Sequence, residues 1–333
     1  MRFLPAAALI LGLATSPARA DLAEAVEGQI LPGTAAFAAA GAALRDQAAA
    51  DCAPGPELRA AWNGAFDAWL AIAHLRFGPL EVDGRVNAIA FWPDKKGFTA
   101  RMLGQMVADR DAIVDQPTEF HELSVAARGL FALEYLLYDE QFSGYGPGDY
   151  TCRLVQANAA DLARMGAEIN AEWQTEAAPA LLSAGAAGNT TYLSQDEAVR
   201  VIYTALLTGL EFNADSRLGR PLGTFDAPRP TRAEARRSGR SLRNVTLSLE
   251  ALQELARALM APEEMPQSEA AFASVFEALQ AVETPDLSQV GDISGRLKVE
   301  IVQQRVQLLR RAVEAEVGGH FGLSAGFNSA DGD

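Results

Sequence analysis

The sequence predicts an all-α fold, and three observations carry that prediction. Nearly half the residues are hydrophobic, yet few runs alternate apolar with polar in the way a half-buried strand requires. Apolar residues instead recur at helical spacing in one stretch after another, separated by Pro/Gly breaks. With 333 residues, the chain also exceeds the usual size of a single core, which points to two helical domains.

Residues 1–20 read as a cleaved signal peptide. Arg2 supplies a basic start, Phe3 to Ala14 an apolar core, and Ala18-Arg19-Ala20 a small-x-small cleavage site. The run is too short to span a bilayer, and no later stretch qualifies. No cysteine lies near the cut, so a lipid anchor is not expected. The mature chain is read as a soluble periplasmic protein without an integral membrane segment. Over the full sequence 43 acidic residues outnumber 28 basic ones, a net charge of −15 that becomes −17 once Arg2 and Arg19 leave with the signal peptide. That argues against nucleic acid or an anionic membrane as partner and favours attraction to cations. Cys52 and Cys152 are the only cysteines. In an oxidising compartment a bridge between them is the economical reading, since no Cys-x-x-Cys spacing supports a reactive or metal-binding pair.

The elements follow in order. Leu22 to about Ala49 reads as a first helix, ended by Asp51-Cys-Ala-Pro-Gly-Pro56. Glu57 to Phe77 carries a core-facing stripe of Trp62, Phe66, Trp69, Ala73 and Phe77, stopped by Gly78-Pro79. Arg85 to Trp92 is too short to type. Lys95 to Ile113 and Glu119 to Tyr138 are expected helices, and Phe142 to Gly148 is a loop. Tyr150 to about Leu182 forms a long helix, and the Gly/Ala/Asn stretch 183–191 divides an N-terminal domain, 21–190, from a C-terminal one, 191–333. Ser194-x-x-Glu197 is a capping box that starts a helix to about Asn213. Leu242–Leu259, Ala270–Val282 and Arg296–Val317 complete the set before an irregular tail. A faint echo between Arg76-Phe77-Gly78-Pro79-Leu80 and Leu218-Gly219-Arg220-Pro221-Leu222 suggests a pseudo-twofold duplication.

The helix ending at Tyr138 holds the strongest lead to function. Over Val125–Tyr138 its single acid, Glu134, has Leu130, Phe131, Leu137 and Tyr138 as helical neighbours. A carboxylate buried there must meet a cation, a metal or a donor from elsewhere, or take up a proton. Arg128 points to another face. Two readings stand side by side: a ligand- or metal-binding acid, and a buried acid satisfied by an arginine such as Arg76. His74 lies at the edge of the core stripe and could share a metal with Glu134 if the two helices pack, although a hydrogen-bonded core histidine is the plainer reading. His121 reads as surface, and His320 has no companion ligand. Trp92 and Asp94 flank a proline in a loop placed to line a cleft, although a buried tryptophan anchoring the loop is the commoner arrangement. The eight arginines from Arg217 to Arg243 read as a solvated face, with an anion or haem propionate site as the functional alternative. No serine-hydrolase elbow or phosphate-cradling loop is present.

These residues resemble the imelysin family of bacterial envelope proteins. Gly129-x-Phe131-x-x-Glu134 stands where that family has Gly-x-His-x-x-Glu. The Trp69–Pro79 segment followed by Phe91-Trp92-Pro93 is similar to its other N-terminal signature, and Gly326 to Asp333 to its C-terminal one. The resemblance implies two four-helix-bundle-like domains with a cleft between them, an extracytoplasmic setting, and a link to iron uptake or metal-dependent peptide hydrolysis. Phe131, in the histidine's place, cannot ligate metal. The expectation is therefore an exported binding protein for iron or haem acquisition, taking a small cationic or iron-containing ligand and working with other envelope iron-uptake proteins. The alternatives are a metallopeptidase whose shifted ligands include Glu134 and His74 around zinc, and a structural or interaction protein with a vestigial cleft.

Overall fold

The computed structural model describes residues 22–323. The signal-peptide reading and the C-terminal signature fall outside them. The described residues are helical throughout, with no strand ladder among them. Wide π-type turns over Glu24–Ile30 lead into α1, Leu31–Ala50; α2 is Pro56–Leu70, α3 Arg85–Ile89, α4 Phe98–Asp109, α5 Gly129–Tyr138 and α6 Tyr150–Glu172. A short α7, Ala178–Leu182, precedes α8, Gln195–Glu211, and the four-residue α9, Gly219–Leu222. Three long helices finish the fold: α10, Ser241–Met260; α11, Pro266–Gln280; and α12, Ile293–Val313. None is long and apolar enough to cross a membrane among the described residues.

Helices α1, α2, α5 and α6 pack together, with α1 lying along α6 and α2 and α5 against α2 and α6. A second group gathers α8, α10, α11 and α12, in which α11 pairs with α12 and α10 with α8. Helix α10 also touches α2 and the Glu24–Ile30 turns, and the buried apolar residues of both groups form one continuous core. Large rings fill it: Trp62, Phe66, Phe37 and Trp173 are wholly buried.

Several ends differ from the sequence reading, for identifiable reasons. Helix α2 stops at Leu70, where the Ile72 N–H turns back to the Trp69 carbonyl (3.0 Å), and tight turns carry the chain to Leu75. The alanine-rich sequence permits more helix there, so tertiary packing decides the end. Helix α4 starts at Phe98 because Asp94 accepts hydrogen bonds from the Phe98 and Thr99 N–H groups, at 2.9 and 2.8 Å. The Glu119–Tyr138 stretch is helical only from Gly129; ahead of it lie two 3₁₀ turns, Phe120–Glu122 and Val125–Ala127. Gly129 is at φ +74°, and a Cβ there would sit 2.2 Å from the Ala88 carbonyl oxygen and 2.4 Å from that of Ile89. The Ser194 cap is formed as read, its Oγ accepting from the Glu197 N–H, but the Glu197 carboxylate accepts from the Leu193 N–H, one residue before the N-cap.

Cys52, just past α1, is bridged to Cys152 in the first turn of α6, closing a loop of 100 residues. Two predictions follow from this frame. Replacing both cysteines by serine is expected to lower stability by about 2–4 kcal/mol, read by urea unfolding; an unchanged midpoint would show that the bridge adds nothing to the native fold. Gly129→Ala puts a methyl against two carbonyls in a left-handed conformation, and is expected to cost about 3 kcal/mol or more, visible as a drop in melting temperature while a surface control such as Gly64→Ala stays near wild type.

Candidate functional site

Helix α5 is apolar except for Glu134, which is 1% exposed. The helix is seated by aromatic packing from α2. The Phe131 ring meets Phe66 edge to face at 5.5 Å, and the Trp62 indole N–H donates to the Leu130 carbonyl at 3.0 Å. At the N-terminal end Arg128 makes a two-pronged pair with buried Asp161 on α6, at 2.9 and 3.1 Å. It therefore faces away from Glu134, as its position on the sequence predicts.

The partner of Glu134 comes from far along the chain. The Ser238 backbone N–H donates to Oε1 at 3.0 Å, and the Ser238 hydroxyl lies 2.9 Å from the same oxygen and 2.9 Å from the Ala235 carbonyl. Arg236 and Arg237 place positive charge nearby, but neither forms an ion pair with the acid. Arg237 instead pairs with Asp139 at 2.6 Å and lies 3.6 Å over the Tyr135 ring. Burial pushes the Glu134 carboxyl above its ordinary value, and the Ser238 hydrogen bonds and the two arginines oppose this without cancelling it. The acid is thus satisfied by a serine rather than by Arg76 or another arginine.

A cavity of about 290 Å³ opens over this face of α5. Phe131, Glu134 and Tyr135 form its floor, Trp92 and Asp94 one wall, and the segment from Arg220 to Arg237 the other. Four of the residues singled out from sequence, Trp92, Asp94, Phe131 and Glu134, are therefore brought together. Gly129 does not line the cavity; it begins α5 and allows the close approach of that helix to α3. Asp94 has little left to offer a ligand, because backbone N–H groups of Lys96, Phe98 and Thr99 occupy its oxygens. Burial alone would raise its pKa; the Thr99 and Phe98 donors outweigh that and hold the carboxyl below its ordinary value.

His74 and Arg76 are not part of this cavity. With α2 ended at Leu70, the turn that follows carries both to a separate hollow of about 20 Å³ beside Phe212 and Arg217. His74 is buried with neither ring nitrogen hydrogen-bonded, contrary to the plainer reading from sequence. Burial, then the charge of Arg217, pushes its pKa down to about 3, so the ring is neutral at physiological pH. Arg76 is exposed, its guanidinium 4.8 Å from the Phe212 ring centre. His121 is exposed, and His320 lies edge-on to Phe321.

The arginine-rich segment is only in part the solvated face expected of it, with Arg229, Arg232 and Arg243 exposed. Arg217 pairs with Glu234 at 2.7 Å and Arg240 with Asp67 at 2.5 Å, and both arginines are buried. Ala235, Ser238, Arg220 and Arg232 at the cavity were not singled out individually. An eight-arginine run in an acidic chain was the available signal for the arginines; nothing local marks Ser238.

Among the described residues, no group of three or more His, Cys, Asp or Glu side chains converges to hold a metal ion. A hydrolytic zinc site needs three protein ligands and an open position for water. Here Phe131 supplies no ligand, Glu134 offers at most its Oε2 because Oε1 is held by Ser238, and His74 lies elsewhere. The residues do not fit such a centre.

The imelysin family model, described as that of a peptidase family, matches residues 30–313. The chain belongs to the imelysin family. An imelysin-like protein from Psychrobacter arcticum 273-4 has a similar structure, with a TM-score of 0.76 at 19% identity over 92% of this chain and 96% of that one. A protein from Parabacteroides distasonis ATCC 8503, designated an iron-regulated protein A precursor, superposes with a TM-score of 0.67 at 12% identity, over 90% and 97% of the two chains. The comparison with curated proteins finds no match. The imelysin fold is thus retained here around a Gly-x-Phe-x-x-Glu segment.

Because the folded state raises the Glu134 pKa, the contribution of Glu134 to stability is greatest at acid pH and falls as pH rises from the ordinary carboxyl value through the raised one, opposite in sign to that of the ion-paired Asp67. Glu134→Gln keeps an acceptor for Ser238 and is expected to flatten that fall, matching or exceeding wild type at neutral pH. Glu134→Ala leaves the Ser238 N–H without its acceptor and is expected to cost about 1–3 kcal/mol. Urea unfolding from mildly acidic to neutral pH measures both; an undiminished slope in the glutamine variant would remove Glu134 as the titrating group.

Proposed function

We propose that this imelysin is an exported, non-catalytic binding protein associated with iron acquisition, and that the Glu134 cavity is its ligand site. The observation that carries the reading is the state of the donors around that cavity. Glu134 and Asp94 are both engaged by the protein's own N–H and O–H groups, and Phe131 stands where a metal-binding histidine would be needed. A site of this kind can enclose and orient a molecule, but among the described residues it lacks the three converging ligands that would hold a metal to activate water. The signal-peptide pattern of residues 1–20 supports export, and the iron-regulated designation of the Parabacteroides neighbour supports the link to iron. At about 290 Å³ the cavity sits at the small end of ligand pockets, which favours a compact iron chelate over haem.

The test is purification from the native envelope, followed by metal analysis, visible absorption and titration with ferric iron as a soluble chelate, with haem and with zinc. Saturable binding of the ferric chelate is expected, together with casein digestion that no chelator alters. Chelator-sensitive proteolysis lost in Glu134→Gln would establish a peptidase instead. Protein that binds none of the three would leave the cleft vestigial.

A further inference from the structure

The same cavity carries more positive charge than its acids account for. Lys95, Arg220, Arg232 and Arg237 line it against Asp94 and Glu134 alone. Arg237 is neutralised by Asp139 at 2.6 Å. Arg220 and Arg232 have no such partner: among the described residues no carboxylate forms an ion pair with either, in a chain with 43 acidic residues to choose from. The Arg220 Nε is buried and makes no hydrogen bond. Its guanidinium lies 5.8 Å from the centre of the Trp92 ring, at the cavity wall. Burial and then the nearby charge of Arg232 lower its pKa, so the two guanidinium groups repel each other where they stand.

Arg220, with a buried Nε that nothing bonds and the exposed Arg232 guanidinium beside it, gains if an anion joins the two. Guanidinium forks match carboxylate oxygens two at a time. The rest of the lining refines the ligand. Phe131, Trp92 and Tyr135 offer ring surface suited to a carbon skeleton. The replacement of histidine by Phe131 acts in the same direction, exchanging a metal ligand for an apolar wall.

We propose that Arg220 and Arg232 form an anion subsite that takes a small organic polycarboxylate, held by its carboxylates with its carbon skeleton against Trp92 and Phe131. The ligand enters free or as the anionic shell of a metal chelate, since both present the same carboxylates. This rests on the reading of the cavity as a binding site, and it replaces the small cation expected from overall charge with an anion selected by the local field.

Isothermal titration of the full mature protein with citrate, ferric citrate and inorganic phosphate tests it. Citrate is expected to bind at one site, more tightly than phosphate. Arg232→Gln, a change at an exposed residue, and Arg220→Gln are each expected to weaken citrate by about tenfold or more, the loss of one charge-assisted pair. Arg220→Lys is expected to recover only part of the loss, because it restores charge without the fork. Circular dichroism melts identify any variant that fails to fold, and Arg232→Gln then decides. Citrate binding that is absent, or unchanged in folded Arg232→Gln and Arg220→Gln, overturns the subsite. Ferric citrate bound independently of both arginines overturns it while sparing the iron reading. Arginine-dependent citrate binding with no binding of ferric citrate supports the subsite and counts against the iron reading.

Discussion

The contact between Glu134 and Ser238 is the constraint on which the site depends. It joins the one acid of an apolar helix to a serine 104 residues later, across the line where the two helix groups meet. A buried carboxylate without donors would be expelled or protonated. Ser238 offers a backbone N–H and a hydroxyl from a turn closed by the Arg240 N–H to the Ala235 carbonyl. Holding that turn over α5 places Ala235 and Arg237 along the cavity wall, so the acid shapes the cavity by pinning its far side.

Paired charges lock the surroundings. On one side Arg128 grips Asp161, and the chain of ion pairs runs on through Arg164 and Glu168 to Arg85 and Glu172. On the other, Glu234 accepts from Arg217 and from the Asn244 amide, while Asp67 on α2 receives Arg240 and Arg243. The second set crosses between the two helix groups, tying α10 to α2. Such pairs are weak net stabilisers, since desolvation offsets much of the attraction, but removing one partner leaves a buried charge and is expensive. They specify how the segment from Arg217 to Arg243 lies more than how stable the protein is. Arg220 and Arg232 stand out against this background because they are the arginines of that segment left facing the cavity without an acid.

The chemistry turns on Phe131. In a Gly-x-His-x-x-Glu segment, histidine and glutamate share a helical face three residues apart, the spacing that lets two side chains meet one ligand. Here the position three residues before Glu134 carries a ring packed on Phe66. The face that could have held a metal is apolar on one side and hydrogen-bonded to Ser238 on the other. The arginine wall is the part of the site that the proposed binding role would use.

Much of the frame was legible in residue pattern. Helical periodicity, the Pro/Gly breaks, the Ser194 cap and the pairing of the only two cysteines are local or combinatorial signals, and each corresponds to what the fold contains. The burial of Glu134 and the lack of a histidine beside it were legible for the same reason, since both follow from spacing along one helix. Helix ends were less so. Leu70 and Gly129 are set by packing and by the approach of α5 to the Ala88 and Ile89 carbonyls, which no window of sequence contains. The end at Leu70 in turn carried His74 and Arg76 away from Glu134. By itself the sequence determined which elements form and which acid must be satisfied, because those depend on neighbours three or four residues away. Only the tertiary structure decided that Ser238 satisfies it and which arginines are left unpaired, because those partners come from an irregular segment with no periodicity to reveal where its side chains go.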